Sequence, residues 1–184
     1  MVDEFDGPAL PPYWLTIRTP NSRWWRLTDG ALALDARPDG VGDLSAQPSF
    51  WGRRQQHAHM TASTTVRFSP QRDGDKAGLL ALQNDEYFFF LGLARDGGRD
   101  VVRLERRAGK AAPRVVASAP VTLAPGAPLD LKVEARGGTY AFSYAAEPGR
   151  WTVLAKDVDG RILSTKTAGG FVGALIGPYA QSGR

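Results

Sequence analysis

The chain has 184 residues, 42% of them hydrophobic, with 23 basic against 19 acidic side chains for a formal net charge of +4. A chain of this length buries a core without covalent staples, and the absence of cysteine excludes disulfides, cysteine-ligated zinc and thiol nucleophiles. The basic excess is interspersed, with Arg53-Arg54 and Arg106-Arg107 as isolated pairs, and no apolar run approaches a membrane span, so neither nucleic acid nor membrane is an expected partner.

The chain opens on an acidic, proline-containing stretch, Met1 to Pro12, without the basic and apolar regions of a secretory leader. With the missing cysteines, this sets a soluble protein of cytoplasmic location as the expectation. Ala31–Asp35 reads as a first strand. His57 to Phe68 alternates: Ala58, Met60, Ala62, Thr64, Val66 and Phe68 share one face, and His57, His59, Thr61, Ser63, Thr65 and Arg67 the other. That period of two marks a half-buried strand. Ser69-Pro70 ends it, and Asp73-Gly74-Asp75 makes a loop. Ala77 to Gln83 and Tyr87 to Ala94 follow, parted by Asn84-Asp85. The second is apolar on both faces, as in a central strand covered on both sides or one facing a ligand groove. Asp96-Gly97-Gly98-Arg99 turns into Val101–Arg107, and Val115–Ala117 is another strand.

Leu129, Leu131, Val133 and Ala135 alternate with Asp130, Lys132, Glu134 and Arg136. Gly137-Gly138 then supplies a tight turn in which both residues are expected at positive φ. Tyr140, Phe142 and Tyr144 return on one face, Glu147-Pro148-Gly149-Arg150 turns again, and Trp151–Leu154 and Phe171–Ile176 complete the set. No amphipathic helix of ten residues is evident. Many short strands with turn signals between them argue for an all-β sandwich or barrel, and the lack of an internal linker for one domain over residues 3–181.

Catalytic chemistry finds little support. No G-x-S-x-G elbow is present. The two histidines, His57 and His59, share a strand face without a third ligand nearby, so no metal or other cofactor is expected. A glycosidase needs two flanking carboxyl groups, and the E-x-D-x-x-E arrangement stops at Glu4-Phe5-Asp6. Asp130 and Glu134 read as surface charges, and Gly97-Gly98 opens no helix that could hold a phosphate. Sugar binding suits the composition better, because sugar faces stack on aromatic rings and hydroxyls pair with amides and guanidinium groups. Of the tryptophans, Trp24 and Trp25 are adjacent and should face opposite ways, one to the core. Trp51 is a candidate sugar platform.

Phe50-Trp51-Gly52-Arg53-Arg54-Gln55-Gln56-His57 resembles the C-terminal β-sandwich of family 43 β-xylosidases and arabinofuranosidases. The resemblance runs through Asp3-Glu4-Phe5-Asp6-Gly7, Trp14 with Arg18-Thr19-Pro20, Ala77-Gly78-Leu79 with Gln83-Asn84, and Tyr87 to Gly92. It continues in Tyr140 to Tyr144 with Trp151, and in Gly169 to Ala174 with Ile176-Gly177 and Tyr179-Ala180. It implies a concanavalin A-like jelly-roll sandwich of two antiparallel sheets, non-catalytic in itself. Such a sandwich packs on a five-bladed catalytic β-propeller, absent from this chain, and helps close its pocket. Phe171 matches the pocket-closing aromatic, and Arg53, Arg54, Gln55, Gln56 and His57 form a donor cluster suited either to that interface or to turns of the sandwich itself. Structural calcium occurs in such sandwiches, and Asp6 would be a ligand. The alternative is a free-standing xylo-oligosaccharide-binding module, with Tyr87, Phe89 and the polar face of residues 57–67 as its groove. An oligomer is compatible with either reading.

Overall fold

The computed structural model describes residues 2–183. Its strands are β1 (Trp25–Thr28), β2 (Ala31–Leu34), β3 (Ser49–Phe50), β4 (Arg53–Arg54), β5 (His59–Arg67), β6 (Lys76–Asn84) and β7 (Tyr87–Asp96). They continue as β8 (Arg99–Ala108), β9 (Arg114–Pro120), β10 (Pro128–Arg136), β11 (Thr139–Ala145), β12 (Thr152–Asp159) and β13 (Leu175–Gln181). A short 3-10 turn, Gly160–Leu163, and one helical turn, α1 (Thr165–Ala168), precede β13. A seven-stranded antiparallel sheet runs β3-β13-β6-β7-β8-β9, with β4 also paired to β13. It faces a four-stranded sheet, β12-β11-β10-β5, and a β1-β2 hairpin stands apart. This is the expected all-β sandwich.

Strand alternation builds the core. In β10 the odd-numbered residues Leu129 to Ala135 are buried and the even-numbered ones half-exposed, because successive side chains point to opposite faces. They meet Phe89, Leu91 and Leu93 of β7, Val102 and Leu104 of β8, and Tyr140 and Phe142 of β11 in one cluster between the sheets. Phe89 lies 5.3 Å from Phe142 and 6.2 Å from Tyr140, centroid to centroid.

Strand β7 is buried on its other face as well. Phe88 and Phe90 join Leu80, Leu82, Tyr179 and Phe50 in a second cluster on the outside of the large sheet, which Ile17 and Val41 cover. Of the two readings open for this strand, burial on both faces is the observed one. The N-terminal coil is thus a lid on apolar sheet, locked by Arg18, which donates to Ala46 O at 3.0 Å and pairs with Asp85 at 2.8 Å.

Several expectations need correction. The strand expected at Phe171–Ile176 begins only at Leu175, after a loop. The β-structure expected over Trp151–Leu154 starts at Thr152 and runs on to Asp159. Gly97 and Gly98 both take positive φ (56° and 74°), whereas in the second glycine pair only Gly137 does (62°). The latter is the φ pattern of a type II′ turn, which asks for glycine at its first central position alone.

The C-terminal end is tied to the loop before β6 through Asp75. Its carboxylate accepts from Gly183 N at 2.7 Å, Gln71 N at 2.8 Å and Arg72 N at 3.0 Å. Burial pushes its pKa up, but the three backbone donors outweigh this and hold it below the usual 3.8.

Two predictions follow from the core and from this tie. Phe89→Ala should cost about 3–5 kcal/mol in urea unfolding, against no more than about 0.5 kcal/mol for exposed Val153→Ala; equal costs would deny Phe89 its place in the core. Because Asp75 has a depressed folded pKa, its stabilisation is present above the ordinary carboxylate value and is lost as pH falls through the folded value. Asp75→Asn should therefore cost about 1–3 kcal/mol at neutral pH and flatten the decline in stability below about pH 4. Parallel pH profiles for the two proteins would refute that role.

Candidate functional site

The segment from Trp51 to His57 runs past the edge of the large sheet and carries most of the site residues expected from sequence. Its short strand β4 pairs with the start of β13, Arg53 opposite Ile176 and Arg54 opposite Leu175. Consecutive strand residues face opposite ways, and the two arginines do so to different ends. The Arg53 guanidinium lies 4.2 Å from the Tyr13 ring centroid and 5.7 Å from that of Trp14. Arg54 donates to Gly173 O at 3.2 Å.

Asp3 organises the N-terminal aromatic side. It accepts from Trp14 Nε1 at 2.7 Å, Tyr13 OH at 3.1 Å and Phe5 N at 3.1 Å. Burial raises its pKa, but these donors and the Arg53 charge outweigh burial and lower it. Asp3 is therefore ionised beside a cation that stacks on two rings.

Gln55 holds the other side. Its amide N donates to Ala174 O at 2.8 Å, its Nε2 to His57 O at 3.0 Å, and its Oε1 accepts from Tyr140 OH at 2.6 Å. Burial pushes the Tyr140 phenol pKa up, so this phenol stays a donor. Gln56 and His57 are exposed.

Between α1 and β13 runs the loop 169–174, and two of its anchors, Gln83 and Asn84, are side chains that sequence reasoning assigned no role. Gln83 Nε2 donates to Val172 O at 2.7 Å and more weakly to Gly169 O at 3.5 Å. Asn84 Nδ2 donates to Ala168 O at 3.0 Å. Gly169 and Gly170 adopt φ of 77° and 83°, a region that side-chain-bearing residues rarely enter. This positive φ breaks the extended backbone, and the amides take carbonyls that a ladder would otherwise use; hence no strand over 171–174. At the tip Phe171 is fully exposed and Val172 53% exposed. An apolar tip on a loop clamped from Gln83, Asn84, Arg54 and Gln55 is a fixed knob.

The structure separates the other candidates. Phe89 is fully buried and Tyr87 packs against the same inter-sheet cluster, because β7 turns these odd-numbered residues inward. The polar face of β5 looks outward from the opposite sheet, so the three do not line a common groove, and Phe89 is corrected to a core residue. Trp51 is half-buried, its ring edge-on to Trp25 at 5.0 Å and 6.1 Å from Trp24. Trp24 and Trp25 do not diverge; their rings meet edge-to-face at 5.1 Å under the β1-β2 hairpin. Among the described residues no three His, Cys, Asp or Glu side chains group as metal ligands. The clamping amides could have been suspected from Gln83-Asn84, two polar residues closing a strand otherwise buried from Ala77 to Leu82.

Residues 2–184 match the family model of the beta xylosidase C-terminal Concanavalin A-like domain. A non-reducing end alpha-L-arabinofuranosidase of Bacteroides ovatus is 28% identical over 180 residues, covering 97% of this chain and 33% of that protein. A xylosidase/arabinosidase of Butyrivibrio fibrisolvens is 27% identical over 184 residues, covering 97% and 34%. The chain thus spans about a third of the length of these curated relatives. The structure titled Bacteroides ovatus Xyloglucan PUL GH43B superposes with a TM-score of 0.85 at 29% identity, over 97% of this chain and 35% of that one. A xylan beta-1,4-xylosidase from Bacillus halodurans shares the fold, with a TM-score of 0.88 at 22% identity over 98% and 35% of the two chains.

From the clamp one outcome is expected. Gln83→Ala should release the loop, so that backbone order parameters of residues 170–173 fall from about 0.85 towards 0.6 or below while the melting temperature moves by only a few degrees or about 1 kcal/mol. An unchanged order-parameter profile would show that Gln83 does not hold the knob.

Proposed function

The chain belongs to the family of β-xylosidase C-terminal concanavalin A-like domains, and from that premise we propose that it is the non-catalytic sandwich of a xylan-degrading family 43 exo-glycosidase of β-xylosidase or arabinofuranosidase type. In this role it packs on a catalytic propeller and helps close its active site. The observation that carries the proposal is Phe171, a fully exposed aromatic on a loop held by the side chains of Arg54, Gln83 and Asn84 and by the backbone N–H of Gln55. An isolated domain gains nothing from fixing an apolar side chain in water, since exposed apolar surface is a free-energy cost. A docking partner that buries the ring gains its transfer free energy without paying to order the loop.

The donors beside the knob support the same face. Arg54, Gln56 and His57 are exposed next to the loop, and Tyr13 lies under Arg53 with 41% of its surface exposed. An apolar centre with a polar and aromatic rim is the usual anatomy of a protein interface. The proportion of the relatives' length spanned by this chain leaves room in each for a larger catalytic unit.

The test is a chimera in which this chain replaces the matching third of the Bacteroides ovatus arabinofuranosidase. The chimera should hydrolyse an aryl arabinofuranoside, and Phe171→Ala should lower kcat/KM about tenfold or more, the equivalent of burying one phenyl ring. The isolated chain should release no aryl alcohol. An active chimera indifferent to Phe171→Ala would remove the knob from the mechanism. Hydrolysis by the isolated chain, lost on substituting a pair of its carboxylates, would overturn the non-catalytic role.

A further inference from the structure

The outer face of the four-stranded sheet shows apolar surface that the knob does not explain. Residues directly opposite each other across a sheet share a face, so the outward, even-numbered side chains of β10 define this one. Lys132 stands level with Ser63 of β5, Ser143 of β11 and Val153 of β12. The wet face of an antiparallel sheet is ordinarily polar, yet here Val153 is 58% exposed and Trp151, two residues before it, 40%. Trp151 directly precedes the edge strand β12, and its ring reaches Lys132, two strands in, with Nζ 4.7 Å from the ring centroid. The indole therefore crosses β11, where Ser143 and Ala145 face outward and are still only 2% exposed. Small residues along its path and a cation against it fix the ring on the sheet while leaving part of it in water.

Beside the ring the surface is stepped. Strand β11 shows this face only Ala141, Ser143 and Ala145, while its neighbour β10 raises Asp130, Lys132 and Glu134. The result is a low lane along β11, about 14 Å long from residue 141 to 145 at strand rise, with the indole across one end. The charges along it are spent on one another. Lys132 pairs with Glu134 at 3.2 Å, Glu134 also with Arg136 at 3.8 Å, and Asp130 accepts from Thr65 Oγ1 at 2.6 Å. Two cations and two carboxylates leave no excess that would select an ionic ligand. A flat protein partner would have to bury these charged groups, at a desolvation cost. A chain of hydroxyl-bearing rings lying in the lane leaves them in water and still meets carboxylate acceptors and an ammonium donor, which suits a hydroxyl group because it both donates and accepts.

We propose that this lane binds a neutral oligosaccharide of pyranose units, one ring resting against the Trp151 indole and the following units lying along β11 beside Lys132 and Glu134. The exposed indole selects a ring with an apolar C–H face, the internally matched charges select a neutral sugar over an acidic one, and the length of the lane selects a chain over a single unit. The site is independent of the knob. The loop bearing Phe171 leads into β13 of the large sheet, whereas the lane lies on the outer face of the small one. Loss of either function therefore leaves the other standing.

The experiment is an NMR titration of the isotope-labelled chain with xylohexaose, cellohexaose, xylose and an oligogalacturonate. At least one of the two neutral hexasaccharides should shift the Trp151 indole N–H and the amides of residues 132 and 141–145, with an affinity about tenfold or more above that of xylose and of the acidic oligomer. Trp151→Ala should weaken binding at least tenfold, and Trp151→Phe, which keeps an aromatic ring, should weaken it less. Ala141→Arg, which raises a long side chain from the floor of the lane, should abolish binding even if Trp151→Ala fails to fold. Phe171→Ala should leave it unchanged. Equal binding of xylose or of the acidic oligomer, shifts centred elsewhere, a Trp151→Ala protein that binds as well as the unaltered chain, or no shift at about 20 mM of either hexasaccharide would overturn the proposal.

Discussion

Burial of β7 on both of its faces is the constraint from which the remaining architecture follows. Phe89, Leu91 and Leu93 require a second sheet, and β10 and β11 supply its apolar face. Phe88 and Phe90, one residue out of phase, require a cover on the other side. The N-terminal coil takes that part, with Ile17 and Val41 on the rings and the Arg18–Asp85 pair fastening it to the β6-β7 turn. A sheet with one wet face would have needed neither the lid nor its fastenings.

The lid in turn decides what the surface offers. Where it continues into Tyr13 and Trp14 it gives Arg53 two rings to lie against and Asp3 a place to be held ionised. Between residues 40–43 and 181–183 it leaves a cleft lined in part by Lys76 and Arg103, which both pair with Glu105. Both features arise from a coil with few regular hydrogen bonds of its own, and both depend on side chains that fix it to the sheet. Loops positioned by a rigid scaffold are the usual seat of function, and the scaffold here extends to the amides of Gln83 and Asn84, which turn 169–174 into a rigid presentation of Phe171.

Much of the sandwich was legible from the chain. The period-two pattern of β5 and β10, the doubly apolar β7 and the glycine turns after Asp96 and Arg136 are local signals, written into neighbouring residues by the geometry of an extended backbone. The ordered motifs from Asp3 to Ala180 carried the resemblance to the family. The polar run Arg53 to His57 was visible as an anomaly, five donor-bearing residues at a strand entrance.

What the sequence by itself determined, then, is the all-β class, the two alternating faces of β5, β10 and β11 and the location of the unusual segment, because each depends on spacing along one chain. Only the tertiary structure decided which aromatic is core and which is knob. Phe89 and Phe171 are the same residue type in apolar surroundings, yet one meets Tyr140 and Phe142 and the other meets nothing. It also decided that Trp24, Trp25 and Trp51 converge, that Gln83 reaches residue 172, and that Glu105 answers two cations. Most of these contacts join residues tens of positions apart, and their existence depends on sheet register and on which strand becomes whose neighbour. Local periodicity sets a side chain's direction, but only the packed neighbour sets its environment, and the environment is what makes a residue buried, charged or available to a partner.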